Sequence, residues 1–146
     1  MKKLLWILAL TVMTGHAFAD GGSAVIARQA CMKASTSGFN AMLAMFKGEK
    51  PYDEAVVPRA MSNIDIACSD WDKFWPQDSK SVPGLNSHAD AAIWTDAAGF
   101  KLAADAYFAA LKDFSGVHDA AGFKAKFVAL GQACSGCHQK FRTPEN

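Results

Sequence analysis

The sequence predicts an all-α protein folded as an antiparallel up-down four-helix bundle. Apolar residues recur at helical spacing in four separate segments, and proline or glycine interrupts the chain between most of them. No segment alternates Val, Ile, Thr or Tyr with polar residues as a half-buried strand would. Four amphipathic helices joined mostly by short connections pack most simply as an up-down bundle.

The first two predicted helices are antiparallel neighbours. The first covers residues 22–47 and repeats an apolar side chain every seven positions, at Val25, Met32, Phe39 and Phe46. It ends before Pro51, because proline cannot continue a helix and restricts the residue before it. The second covers residues 53–75 and places apolar residues at alternating steps of four and three, at Val57, Met61, Ile64, Cys68, Trp71 and Trp75.

The last two predicted helices follow a loop at residues 76–86, which contains two prolines and a glycine. The third helix begins at Ser87 or His88 and runs to about Phe114, where Ser115-Gly116 breaks the chain. The fourth covers residues 119–141 and has its apolar face at Phe123, Phe127, Leu130, Cys134, Cys137 and Phe141. We expect most of these side chains to form the core, because any helix of a globular protein needs such a face.

The first nineteen residues have the pattern of a secretory signal peptide: a basic start, an apolar run over residues 4–13, and the cleavage sequence Ala17-Phe18-Ala19. This run is shorter than the roughly 20 residues that span a bilayer, so we predict no membrane anchor. Cleavage would leave residues 20–146 as a single domain with 13 Lys and Arg against 14 Asp and Glu. The near-neutral charge argues against nucleic-acid binding, and we expect an exported, periplasmic protein.

The pentapeptide Cys134-Ser135-Gly136-Cys137-His138 is the strongest functional motif. Residues at i, i+3 and i+4 share one face of a helix, so the two thiols and the imidazole project to the same side. This arrangement is typical of a c-type haem, in which two sulfurs bond the porphyrin edge and the adjacent histidine binds the iron. We therefore predict one covalent haem c between the helices, screened by Phe127, Phe141 and Trp94.

Two other uses of these cysteines compete with haem attachment. A structural zinc site needs about four ligands, but Cys31 and Cys68 stand alone and the other histidines after residue 19 are His88 and His118. A thioredoxin-like dithiol follows a strand and sits at a helix N-terminus, where the helix dipole lowers the thiol pKa. The CSGCH motif lies instead near the end of the last predicted helix. A haem-free dithiol oxidoreductase is therefore the distant alternative.

Four segments of the chain stand out together: CSGCHQKFR near the C-terminus, RQACM in the first helix, GEKPYD after it and AAIWTDAAGF in the third helix. In their order and spacing they resemble cytochrome c′, the class II c-type cytochromes. The resemblance implies thioethers at Cys134 and Cys137 and a proximal iron ligand at His138. No Ser-His-Asp order, P-loop or paired-carboxylate cluster stands out, so we do not predict a turnover enzyme.

The resemblance also assigns residues to the surroundings of the haem. Arg28 and Gln29 match an Arg-Gln pair beside the haem propionates, and Arg142 matches a basic residue one turn beyond the proximal histidine. Arg142 either tunes the imidazole of His138 on a shared helix face or is a solvated cation that favours the helix end. Ser87-His88 stands where relatives carry Thr or Asp near a propionate, and His88 either touches the haem edge or only begins the third helix.

In the family, the position of Met32 faces the open side of the iron. As a second ligand beside His138, Met32 would give a low-spin electron-transfer cytochrome. As a packing residue, it would leave five-coordinate, high-spin iron that binds a diatomic gas such as nitric oxide or carbon monoxide. We favour the high-spin protein, because methionine packs adaptably without needing to bind.

Cys31 and Cys68 lie outside the usual motif. They stand nineteen residues before and eighteen residues after a turn centred near residue 50, at similar heights on neighbouring helices. In an oxidising compartment we expect an intrachain disulfide, with two buried free thiols as the alternative. The small residues that would ease this approach are Ala24, Ala27, Ala34, Gly38 and Ala41. The same face could instead pack against a second subunit, as helices do in dimeric relatives.

Overall fold

The computed structural model describes residues 20–144, and the predicted signal peptide lies outside this part of the chain. The described residues form five α-helices: α1 (Gly21–Phe46), α2 (Val56–Cys68), α3 (Ala92–Thr95), α4 (Ala97–Ser115) and α5 (Ala120–Phe141). The four long helices form the bundle, so the predicted all-α four-helix fold is confirmed. None of the helices in residues 20–144 combines the length and apolarity needed to cross a membrane.

Three aspartates fix the starts of three of the four long helices. Asp20, Asp96 and Asp119 precede α1, α4 and α5, and each carboxylate accepts hydrogen bonds from backbone N–H groups in the first turn. These N-caps satisfy donors that have no partner within the helix. At the other end of α1, Gly48 adopts a φ of +75°, which glycine tolerates, and turns the chain toward α2.

The second helix is shorter than the predicted range of 53–75. The carboxylate of Asp53 accepts a hydrogen bond from the backbone two residues on, which forms a turn where we expected helix. Beyond α2, the hydroxyl of Ser69 donates to the carbonyl three residues back, and the chain continues as a short 3₁₀ helix at Trp71–Lys73. Such side-chain bonds to the backbone compete with helix continuation, so the prediction was wrong at both ends of this helix.

The prediction that the third helix begins at Ser87 or His88 is wrong, because neither residue is helical. This segment runs beside the residues that follow α5, where the Thr143 N–H donates to the His88 carbonyl at 2.8 Å. Only the four-residue α3 precedes a break at Asp96, whose φ of −126° and ψ of 61° lie outside the helical region. The capping carboxylate of Asp96 then begins α4 as a separate helix.

The bundle consists of two closely packed helix pairs. α1 packs mainly on α2 and α4 packs mainly on α5, and contacts between the two pairs are fewer. The main core cluster takes residues from all four long helices, including Met42, Ile64, Phe114 and Phe123. A smaller cluster of Ile93, Phe100 and Phe141 is separate from it. The face of α5 near its C-terminal end contacts both clusters, which places the CSGCH motif between them.

Candidate haem site

Cys134, Cys137 and His138 lie in the last two turns of α5. The backbone is helical throughout this motif, so the three side chains share one face of the helix as predicted. Both cysteines are half-buried, and neither is bonded to another cysteine of the described residues. Cys134 packs against the main core cluster, whereas Cys137 packs against the smaller one.

The electrostatics of this face favour thiols and an imidazole in their neutral forms. Burial raises the pKa of both thiols, and the neighbouring Cys134 raises the pKa of Cys137 further. A nucleophilic dithiol shows the opposite shift. Partial desolvation lowers the pKa of His138, and the positive charge of Arg142 lowers it more. A neutral imidazole is the form of histidine that binds a metal ion.

Apolar side chains surround the thiol face. Met32 of α1 packs against the same core cluster as Cys134. Phe127 is buried in that cluster, and its ring lies 4.3 Å from the ring of Phe39, centroid to centroid. On the other side, the predicted residues Phe141 and Trp94 belong to the cluster that contacts Cys137. These walls are apolar and largely aromatic, which suits a flat macrocycle.

Arg28 is a buried cation whose hydrogen-bond partners within residues 20–144 are all neutral. The residue is only 4% exposed. Its guanidinium donates to the carbonyl of Phe74 at 3.3 Å, to the hydroxyl of Ser79 at 2.9 Å and its carbonyl at 2.8 Å, and to the hydroxyl of Ser87 at 2.7 Å. Burial lowers the pKa of Arg28, and no carboxylate of residues 20–144 forms an ion pair with it. Because an uncompensated buried charge is costly, this position suits an anionic group.

Two tryptophans complete the surroundings of Arg28. The guanidinium carbon lies 5.3 Å from the ring centroid of Trp75 and 5.8 Å from that of Trp94. The Trp94 indole N–H donates to the Trp75 carbonyl at 3.0 Å, but the Trp75 indole N–H is buried without an acceptor among residues 20–144. Buried N–H groups normally have a partner. An unpaired donor beside an uncompensated cation indicates that a group with acceptor oxygens belongs here.

Gln29 and His88 both contact Asn86 in the loop before α3. The Gln29 side-chain amide donates to the carbonyl of Asn86, and His88 Nε2 lies 3.4 Å from Asn86 Nδ2. The adjacent Ser87 is the residue that holds Arg28. The structure therefore brings Arg28, Gln29 and His88 to one end of the bundle.

Arg142 follows α5 instead of lying on its helical face. Its φ of −129° and ψ of 129° are extended, and it forms an isolated bridge with Ala89. The prediction that Arg142 and His138 share a helix face is therefore wrong, since α5 ends one residue earlier. The charge of Arg142 is nevertheless close enough to lower the pKa of His138.

A groove of about 590 Å³ opens between α2 and α4. Cys68 lines this groove, whereas the α5 thiols do not, and its aromatic lining comes from Trp71, Trp75, Trp94, Phe100 and Phe108. Phe100 packs edge-on to Trp75, with ring centroids 4.7 Å apart, and belongs to the cluster that contacts Cys137. The aromatic cluster thus connects the groove with the thiol face.

The structure joins Cys31 to Cys68 by a disulfide between α1 and α2, with the two Cα atoms 4.9 Å apart. These cysteines are therefore not half of a zinc site. Within residues 20–144, no three His, Cys, Asp or Glu side chains converge as a metal-ion site, whereas structural zinc takes about four ligands.

The sequence model of the family described as Cytochrome C′ matches residues 23–142. The chain belongs to the cytochrome c′ family. It is 34% identical to cytochrome c′ of Rubrivivax gelatinosus, over 86% of this chain and 98% of the relative. It is also 31% identical to cytochrome c-556 of Rhodopseudomonas palustris, over 99% of both chains. Members of this family bind covalent haem c, so the predicted cofactor is confirmed.

Solved cytochromes c′ share the fold. The crystal structure of the Rubrivivax gelatinosus protein superposes with a TM-score of 0.74 at 32% identity, covering 86% of this chain and 98% of that one. A nitric oxide complex of a mutant cytochrome c prime from Alcaligenes xylosoxidans also gives a TM-score of 0.74, at 26% identity, over 88% of this chain and 99% of that one.

The described residues fit a haem c. Two thiols and an imidazole share a face, aromatic and methionine side chains wall the adjacent interior, and Arg28 with the Trp75 N–H offers donors for propionate oxygens. Sequence reasoning missed Trp75 and Ser79 as members of this site, and only the family resemblance placed Ser87 near a propionate. The serines lie in irregular segments where no periodicity marks them, and Trp75 followed the pattern of an ordinary core residue.

Proposed function

We propose that the protein is a periplasmic cytochrome c′ that binds a diatomic gas at five-coordinate, high-spin iron. The observation that carries this proposal is the common face of Cys134, Cys137 and His138 on α5, adjacent to an apolar interior. When bound, the haem supplies an iron that can take up a gas molecule or one electron.

Each residue of the site has a defined task in this proposal. The sulfurs of Cys134 and Cys137 hold the edge of the macrocycle, and the imidazole of His138 binds the iron. The Arg28 guanidinium, kept in place by its serine partners, binds a propionate. The Trp75 indole N–H donates to the same end of the group, which would satisfy its unpaired hydrogen.

Met32 would form part of the apolar wall of the gas-binding side of the haem site. Its thioether side chain is half-buried and packs against the main core cluster. An apolar wall admits a small uncharged gas and excludes charged ligands, since burying an unpaired charge is costly. The nitric oxide complex of the Alcaligenes protein supports a gas as the ligand.

A visible spectrum of protein purified from a host with haem-attachment machinery tests this proposal. We expect broad high-spin ferric bands and a shift of the ferrous bands when nitric oxide or carbon monoxide is added. Low-spin bands with a methionine-to-iron signature would contradict the five-coordinate state. Protein without haem would overturn the proposal.

The second candidate is a low-spin electron carrier with Met32 and His138 as the two axial ligands. The position of Met32 beside the core cluster that contacts Cys134 favours this candidate. Replacing Met32 by Ala separates the two functions. A shifted ferric spectrum and a lower reduction potential would support ligation, whereas an unchanged spectrum and potential would exclude it.

Export and self-association are further parts of the proposal. N-terminal sequencing of the periplasmic protein should begin at Asp20 if residues 1–19 are a cleaved signal peptide.

A homodimer through α1 and α2 would use their shallow surface of small residues, which includes Ala34, Gly38, Ala41 and Ala60. Ala41 is exposed on this surface, so Ala41→Glu should convert a dimer to a monomer in light scattering. An unchanged mass would place any dimer contact elsewhere.

A further inference from the structure

The Cys31–Cys68 disulfide lies beside two walls of the haem site. Both cysteines are almost fully buried, at 0% and 3% exposure. Met32 is the residue after Cys31, and Trp71 follows Cys68 by three residues. Cys68 also lines the aromatic groove together with Trp71. The bridge therefore ties the turn of α1 that carries Met32 to the segment that carries the aromatic wall.

The same turn of α1 is bound to a third helix by a chain of hydrogen bonds. The Ser35 hydroxyl donates to the Cys31 carbonyl at 2.8 Å. Because a hydroxyl has one hydrogen, Ser35 must accept from the Tyr107 hydroxyl of α4, which lies 2.7 Å away. One turn earlier, Arg28 is bonded to Ser79 and Ser87. Met32 thus lies in a stretch of α1 that a disulfide and several hydrogen bonds fix to other parts of the bundle.

We propose that the Cys31–Cys68 disulfide is a positioning element that holds Met32 at a fixed distance from the thiol and imidazole face of α5. This inference rests on the proposed haem function. The bridge prevents α1 from sliding or rotating on α2 at the residue before Met32, so it sets where the thioether lies. Because both half-cystines are buried, the disulfide stays formed, and the proposal involves no reduction step.

A double-mutant cycle tests this coupling in the haem-bound protein. Cys31→Ala/Cys68→Ala is made in the Met32 background and in the Met32→Ala background, and carbon monoxide affinity and ferric spectrum are measured in all four proteins. In the Met32 background, we expect loss of the bridge to change the affinity by about fivefold or more, with a changed ferric spectrum. In the Met32→Ala background, the change should stay within about twofold, because coupled residues are non-additive.

Val57→Ala is the matched control for lost stability. Val57 is buried in the first turn of α2, far along the helix from Cys68, so this variant should weaken the fold without changing carbon monoxide affinity. Equal changes from bridge loss in both backgrounds, no change in either, or the same change in Val57→Ala would each overturn the positioning role. If the double alanine variant does not fold, Cys31→Val/Cys68→Ala replaces it, since valine fills more of the lost volume.

The outcomes separate this inference from the proposed function. A wild-type protein without haem would defeat the proposed function itself. A protein that holds haem and binds carbon monoxide, but whose affinity responds to the bridge independently of Met32, would defeat the positioning role alone.

Discussion

The four cysteines form two pairs with opposite surroundings. Cys31 and Cys68 are 37 residues apart, lie on different helices, and are bonded in the interior of the α1–α2 pair. Cys134 and Cys137 are three residues apart on one helix, half-buried and unbonded to each other. The first pair joins two elements of the protein, whereas the second presents two sulfurs side by side to a neighbour that is not another cysteine.

The difference shows that the position of a thiol in the bundle decides its chemistry. The bonded pair lies where two helices are packed closely, with the two Cα atoms 4.9 Å apart. The unbonded pair lies where α5 meets two separate core clusters and where contacts between the helix pairs are fewer. A helix face in that position is available to a prosthetic group.

Replacing the cysteines of each pair by alanine should give the largest difference, measured as the amount of covalently attached haem. Cys134→Ala/Cys137→Ala should abolish covalent haem attachment, because both thioether sulfurs are lost. Cys31→Ala/Cys68→Ala should retain one haem per chain. Intact mass spectrometry of proteins produced under haem-attaching conditions measures both results. Covalent haem in the first variant, or its loss in a folded second variant, would break the distinction between the pairs.

The bonded pair should contribute most to stability. Removing the disulfide, which joins residues 37 positions apart, is expected to lower the free energy of unfolding by roughly 2–4 kcal/mol. Urea unfolding of Cys31→Ala/Cys68→Ala against the wild type measures the loss, and Val57→Ala is the control for a simple core truncation. Two alkylatable thiols in non-reduced, denatured wild-type protein, beyond any that carry haem, would show that the bridge does not form.

Arg28 lies one turn before Cys31, and in the proposed function its guanidinium would bind a haem propionate. Arg28→Met removes hydrogen bonds from a charged donor, so the free energy of unfolding of the haem-bound protein should fall by about 2 kcal/mol. Arg28→Lys should recover only part of this, because an ammonium group cannot reproduce the planar fork that reaches Ser79 and Ser87 together. Gln29→Met, at the exposed neighbouring position, is the control and should have little effect. Full recovery with lysine would argue against the fork geometry.

Tyr107 of α4 is hydrogen-bonded toward Cys31 through Ser35. Burial raises the pKa of Tyr107 to about 12, above the usual value of 10. The unfolded chain therefore loses this proton first, and the free energy of unfolding should decrease as the pH rises from 10 toward 12. Urea unfolding across this range measures the slope, and Tyr107→Phe should make it shallower. Phenolate absorbance showing Tyr107 ionised near pH 10 in folded protein would contradict its burial.

The bundle and the haem motif follow from local patterns. Helical periodicity marked the four long helices, and the spacing of Cys134, Cys137 and His138 placed them on one face because a helix repeats every 3.6 residues. The equal heights of Cys31 and Cys68 about the turn near residue 50 pointed to the pairing that the structure contains.

The predicted helix boundaries are wrong where a polar side chain forms a hydrogen bond to nearby backbone. Asp53, Ser69 and Asp96 each form such a bond, and each interrupts a helix that apolar periodicity alone would continue. The partners of Arg28 were missed for a related reason. Ser79 and Ser87 reach the guanidinium only through the path of the chain between α2 and α3, which no local spacing encodes.

Peptide mapping of the mature, non-reduced protein tests the account most directly, because it reads both cysteine pairs at once. We predict that the peptide with Cys134 and Cys137 carries the added mass of one haem, while the peptides with Cys31 and Cys68 are joined to each other. A peptide with unmodified Cys134 and Cys137, from protein matured with haem-attachment machinery, would contradict the central claim.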